Sequence, residues 1–228
     1  HPQKDADISL TLLQYSEGQK VEGLPIDLHA PLITIILMMN TADGHLADNE
    51  YDSQLDDRLI ASRHFISFYT VVSRIFEGKF VMSCVGRGYV IHANVPHDFL
   101  IRQTAVQNLS PLLTTIDSVQ ASITVGVSNI AASAVRLREA YDQARGAIHA
   151  SFLLGYGRII FFRDLSSAAF TPSPDLQRCL YDNISNNNFT SAINFLNGYI
   201  DSMSKCRVQD IPEIKEVLIS IAFWLSSQ

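Results

Sequence analysis

Residues 122–164 read SITVGVSNIAASAVRLREAYDQARGAIHASFLLGYGRIIFFRD, and this stretch decides the fold. Ile123, Val125 and Val127 alternate with Thr124 and Gly126, the period of two that belongs to a strand. An alanine-rich segment comes next. Leu137, Tyr141, Ala144, Ile148 and Phe152 fall on one stripe of a helix, with a period near 3.6 residues. Gly155 or Gly157 can end that helix by taking a positive φ. RIIFFRDL, 158–165, then reads as a second strand that ends at Asp164. The unit is strand, helix, strand.

Working outward, LITIILMM (32–39) is an unbroken apolar run of strand length, which suits a central strand buried on both faces. After a polar loop, a long helix is expected from about Leu55, with Leu55, Leu59, Ile66, Tyr69, Val72 and Phe76 inward. KFVMSCV and YVIHANV flank Gly86-Arg87-Gly88, and glycines between two β-rich runs signal a hairpin. A further helix carries Phe99, Gln103, Val106, Leu109, Leu113 and Ile116, interrupted by Pro111, before which Ser110 could serve as a cap. The order is β-α-β-β-α-β-α-β, a mostly antiparallel sheet with packed helices in an α+β arrangement. ISLTLLQY (8–15) reads as a short helix ahead of it. Beyond the prolines at 172 and 174, three helices are expected: 175–185, 189–204 with Asn188 or Thr190 as cap, and 211–227. The expected division is 1–30, an N-terminal helix and connector; 31–170, the α+β domain; and 171–228, a helical extension.

The chain has 228 residues, 47% of them hydrophobic, enough for a real core. Its formal net charge of -6 and the lack of a basic run argue against direct nucleic-acid contact by this piece. Cys84, Cys179 and Cys206 are too few and too scattered for a disulfide framework or a CxxC metal site, so reduced thiols in the cytoplasm are expected. No apolar run reaches the ~18 residues of a membrane span. The opening HPQKDADIS carries no initiator methionine and suggests a fragment of a longer protein.

Chemistry-bearing residues are dispersed. His64, His92, His97 and His149 form no HxxxH or HExxH pair and read as structural or exposed. Asp43, Asp48, Glu50, Asp52, Asp56 and Asp57 cluster, but not at calcium-loop offsets, so they read as a solvated acidic helix start. Asp164 could bind a cation or a ligand, or cap the next segment of chain. Arg158 and Arg163 could hold an anion, or simply guard a sheet edge. Cys84 reads as a core thiol. There is no GxSxG elbow and no phosphate-binding GxxxxGK loop.

A family resemblance joins these parts. Val125, Gly126, Val127 and Ser128, then Tyr141, Ala144 and Ala147, then Ile159, Ile160, Phe161, Asp164 and Leu165 resemble the end of the degenerate GGDEF-like domain of YesN-type AraC-family regulators. LITIILMM resembles that domain's first strand, and KFVMSCVGRGYVIHANV its signature hairpin. The resemblance implies a nucleotide-cyclase-like sheet and a role in signal transduction and transcription regulation, as in response regulators of two-component systems. The resemblance also implies a covalently linked DNA-binding module in the parent protein. In active diguanylate cyclases the signature glycines serve the nucleotide, and the acidic pair serves metal and chemistry. The matching segment here is Val85, Gly86, Arg87, Gly88 and Tyr89, and no carboxylate lies within LITIILMMN.

The expectation is therefore a non-catalytic regulatory domain with no metal and no cofactor. It would act through self-association or a bound small-molecule effector, with Arg158 and Asp164 as candidate ligand or interface residues. The alternatives are a small-molecule or nucleotide sensor, hinted at by the apolar surplus at Phe223 and Trp224, and a cyclase with residual activity.

Overall fold

Leu32–Thr41 forms β1, the middle strand of a five-stranded sheet. The computed structural model describes residues 23–41, 53–99, 102–116, 121–165, 175–203 and 210–226. The expected helix at 8–15 lies outside them. The chain divides into two compact units, 1–164 and 165–228.

In the first unit, β1 leads to helix α1 (Ser53–Ile75), the hairpin β2 (Phe80–Val85) and β3 (Gly88–Asn94), helix α2 (Arg102–Leu113), strand β4 (Ala121–Val127), helix α3 (Leu137–Leu154) and strand β5 (Ile159–Phe161). The sheet order is β2-β3-β1-β4-β5. β1 pairs antiparallel with both β3 and β4, β2 pairs antiparallel with β3, and only β4 and β5 run parallel. The first four strands make the split β-α-β of a β-α-β-β-α-β unit, and the α3 crossover adds β5 at the edge.

Strand alternation sorts the sheet into two unlike faces. Ile33, Ile35, Leu37, Met39, Tyr89, Ile91, Ile123, Val125 and Val127 lie on one face and share a core with Phe68 and Val72 of α1, with Phe76 just beyond its end, and with Ala105, Leu109 and Leu112 of α2. The opposite face carries buried Thr34, Ser83, His92 and Thr124 at the alternate positions. α3 packs there against β1, β4 and β5.

The helices face the core differently from the stripes expected of them. On α1, Ile66 and Tyr69 point outward, 77% and 48% exposed, while Phe68, Val72 and Phe76 are buried and Phe65 packs beside them. Aromatic stacking sets this rotation: Phe68 and Phe65 lie 5.0 and 6.1 Å from the ring of Tyr89. On α2, Gln103 and Val106 face solvent and Ala105 and Leu112 are inside. Pro111 sits inside the last turn of an otherwise regular helix. It has no N–H for the Gln107 carbonyl, and the Ser110 hydroxyl donates to that oxygen instead, at 3.0 Å. Ser110 is thus a substitute donor and not a cap.

On α3 the buried face is Leu137, Ala140, Ala144, Ala147, Ile148 and Ser151, while Tyr141 is half-buried and Phe152 is exposed. Size decides the rotation. A Cβ on Gly126 would lie 2.5 Å from the Ala144 carbonyl oxygen and 2.7 Å from Ile148 Cγ1. Only glycine lets β4 and α3 approach so closely, and small residues must meet it. Gly126→Val is expected to destabilise the unit by roughly 3 kcal/mol in urea unfolding, because the overlap is with backbone and cannot be relieved by a rotamer. α3 ends at Gly155, φ +91. β5 is shorter than expected, since Phe162–Asp164 turn into a 3-10 helix.

In the second unit, α4 (Leu176–Ser185), α5 (Phe189–Met203) and α6 (Ile211–Ser226) enclose Leu176, Leu180, Ala192 and Ile221. Asn188 caps α5 by accepting the Ser191 N–H at Oδ1, 3.4 Å. Trp224 packs on this core, its ring 6.4 Å from Tyr181, whereas Phe223 is 78% exposed. Among the described residues no helix is long and apolar enough to cross a membrane.

Candidate functional site

The hairpin expected to carry a signature closes through Gly86 and Arg87, between paired Val85 and Gly88. Gly86 takes φ +54, the left-handed conformation that a tight hairpin asks of its first central residue. Val85 is 52% exposed and Arg87 is half-buried, its carbonyl accepting the Met39 N–H at 3.3 Å.

Gly88 stands opposite Met38 on β1. A Cβ at Gly88 would overlap the Leu37 carbonyl oxygen, a backbone atom. The position therefore has no room for any side chain. Tyr89 is fully buried beneath Phe65 and Phe68. Burial raises its pKa far above the ordinary phenol value, and the neighbouring Cys84, directly across the hairpin, adds to the rise. Tyr89 is a neutral core residue and cannot serve as a phenolate.

At the adjoining end of β1, Asn40 turns its amide to β4, donating to Thr124 Oγ1 at 2.8 Å and to the Ser122 carbonyl at 3.3 Å. These groups do not fit the metal that active relatives of the resembled family use. They are a cation, a neutral amide and hydrocarbon, where hard divalent ions take carboxylate oxygen. Among the described residues no group of three His, Cys, Asp or Glu side chains is gathered as a metal site. Asp43, Asp48, Glu50 and Asp52 lie outside the described residues.

Arg158 and Asp164 flank β5 at opposite ends, so the structure does not bring them together. Asp164 lies in the 3-10 turn, not on a strand, with Arg163 Nε 3.7 Å from its carboxylate. Arg163 also lies over the Phe161 ring, 5.3 Å from its centroid. Because β5 is the sheet edge, these charges suit edge protection.

A polar chain that the sequence did not disclose crosses the other face. His92 Nδ1 and Thr34 Oγ1 are 3.0 Å apart, both fully buried. The Thr34 N–H donates to Ser128 Oγ at 3.0 Å, and Ser128 Oγ donates to the Asn129 carbonyl at 2.7 Å. The Asn129 N–H donates to Gln143 Oε1, Gln143 Nε2 to Glu139, and Glu139 pairs with Arg136 at the start of α3. Desolvation pushes the His92 pKa down to about 4, so this imidazole is neutral at pH 7. His64, His97 and His149 lie apart on α1, after β3 and on α3.

The fold and hairpin define a class: an α+β domain with a β-α-β-β-α-β core, an added parallel strand and a tight glycine hairpin between β2 and β3. No protein-family model and no curated protein matches the sequence. Several solved structures are similar in part, two of them as follows. One is the active GGEEF domain of a diguanylate cyclase from Vibrio cholerae, with 15% identity over 60% of this chain and 86% of that one, at a TM-score of 0.40. The other is the FimX GGDEF domain from Pseudomonas aeruginosa, with 16% identity over 69% of this chain and 91% of that one, at a TM-score of 0.35.

Proposed function

We infer that this chain is a non-catalytic, GGDEF-like regulatory domain of the kind found in YesN-type AraC-family transcription regulators. It passes a signal by contact with a second copy or by binding a small effector. The observation that carries this reading is the pair Arg87 and Gly88. Where an active cyclase presents two carboxylates, one position holds a fixed cation and the other is closed to any side chain by the Leu37 carbonyl. Two-metal phosphoryl transfer needs acidic ligands to hold the ions and offset triphosphate charge, and Arg87 opposes the first of these. The strand order and the contact of Gly126 with Ala144 support the scaffold side of the reading.

Manganese titration tests it. Amide signals of Met39, Asn40 and residues 85–89 are expected to keep their intensity when Mn²⁺ is added at sub-stoichiometric levels. Selective paramagnetic loss of those signals would show a working metal site at the hairpin and overturn the reading.

A further inference from the structure

The end of the sheet farthest from the hairpin turn holds a cleft of about 530 Å³, whose lining includes Phe76, Glu77, Lys79, Asn94, Phe99 and Asn108. Its size lies within the range of small-molecule sites. The Phe76 and Phe99 rings, 5.7 Å apart, supply an aromatic floor, and Ile75, Val95 and Pro96 extend the apolar wall.

The rim is charged in both senses. Glu77 and Lys79 stand on either side of Gly78, both exposed, and neither side chain makes an ion pair or hydrogen bond among the described residues. Asn94 is committed elsewhere: its amide accepts the Asp27 N–H at 2.7 Å and donates to the Asp27 carbonyl at 2.8 Å. The cleft's unused polar groups therefore include one carboxylate, one ammonium and the exposed Asn108 amide.

The backbone marks the same place. α1 ends with the Gly78 N–H donating to the Ser73 carbonyl at 3.2 Å, and this closure puts Glu77 in the left-handed region, φ +53. Helices commonly place glycine at that position. A glutamate there carries a conformational cost that the helix stop itself does not require, and such costs gather at functional positions.

We propose that this cleft binds a small zwitterionic amphiphile of the aromatic α-amino acid type. The ammonium would meet Glu77, the carboxylate Lys79, and the ring the floor made by Phe76 and Phe99. The proposal goes beyond the regulatory reading and does not rest on it, since the cleft lies away from the hairpin and would serve a catalytic domain equally.

The test is an amide-resolved NMR titration of the full chain with L-phenylalanine, alongside 3-phenylpropionate and phenethylamine, which each lack one charge. Saturable shifts centred on residues 75–79, 94–96, 99 and 108 are expected for L-phenylalanine. Glu77→Gln and Lys79→Met should each weaken binding about fivefold, and the one-charge analogues should bind correspondingly worse. Both substitutions are at exposed positions, and each variant is expected to unfold thermally at the parent's midpoint, which thermal unfolding checks. Absent shifts, shifts centred elsewhere, unweakened variants, or equal binding of either analogue would each overturn the proposal.

Discussion

Gly88→Ala is expected to destabilise the first unit by roughly 3 to 5 kcal/mol, among the largest effects a single methyl group can have. The methyl carbon would overlap the Leu37 carbonyl oxygen, and both partners are backbone in paired strands. Relief means prising β1 from β3 at the hairpin end, where Tyr89 and Leu37 are wholly buried. Gly86→Asn is the control. Gly86 needs only a positive φ, a Cβ there meets nothing within 4 Å, and asparagine tolerates the left-handed region. Its cost should stay below about 1 kcal/mol. Urea unfolding followed by far-UV circular dichroism compares the two. A Gly88→Ala protein as stable as the parent would mean that the strands do not approach as described. The contrast separates two reasons for glycine in one short hairpin: conformation at the first, space at the second.

Acid sensitivity carried by His92 is the second large effect. Its folded pKa, about 4, lies below the ordinary 6.5, so the unfolded chain binds the proton more readily. Stability therefore falls as pH drops through 6.5, continues to fall to about 4, and is indifferent to this group below that. Between pH 7.5 and 5 the loss from His92 alone amounts to about 2 kcal/mol. His92→Gln keeps a group that can bond Thr34 but does not titrate. The difference in unfolding free energy between those two pH values should shrink in the variant by about that amount. An unchanged difference would show that the imidazole is not shielded from solvent.

The strands were legible because their patterns are local. The alternation in SITVGVS and the apolar run LITIILMM each name a strand, and two β-rich runs around Gly86 name a hairpin. The rotation of the helices was not legible. α1 carries apolar residues at 65, 66, 68, 69, 71, 72 and 75, and Phe76 follows its end, a band too wide for periodicity to choose a centre. The choice falls to Tyr89, which reaches α1 only through the sheet. On α3 the inward face is mostly small residues, Ala140, Ala144, Ala147 and Ser151, suited to the close approach at Gly126, while the bulkier Tyr141 and Phe152 turn away from it.

The hairpin residues could be singled out from the sequence, but the reason Gly88 must be glycine could not. It depends on a carbonyl of β1, far earlier in the chain. The Thr34, His92 and Ser128 chain was hidden for the same cause. Thr34 sits in a run that reads as uniformly apolar, and its partners are 58 and 94 residues away, aligned only by strand register. Arg158 and Asp164 were neighbours in sequence across a strand, which is why the structure holds them apart.

Shape retained after the loss of metal chemistry is the central claim, and turnover bears on it most directly. Purified protein incubated with GTP and either Mg²⁺ or Mn²⁺, with product followed by mass spectrometry, is expected to yield no cyclic nucleotide and no pyrophosphate above the no-protein control. Catalytic formation of a cyclic product, abolished when the divalent ion is chelated, would contradict the claim.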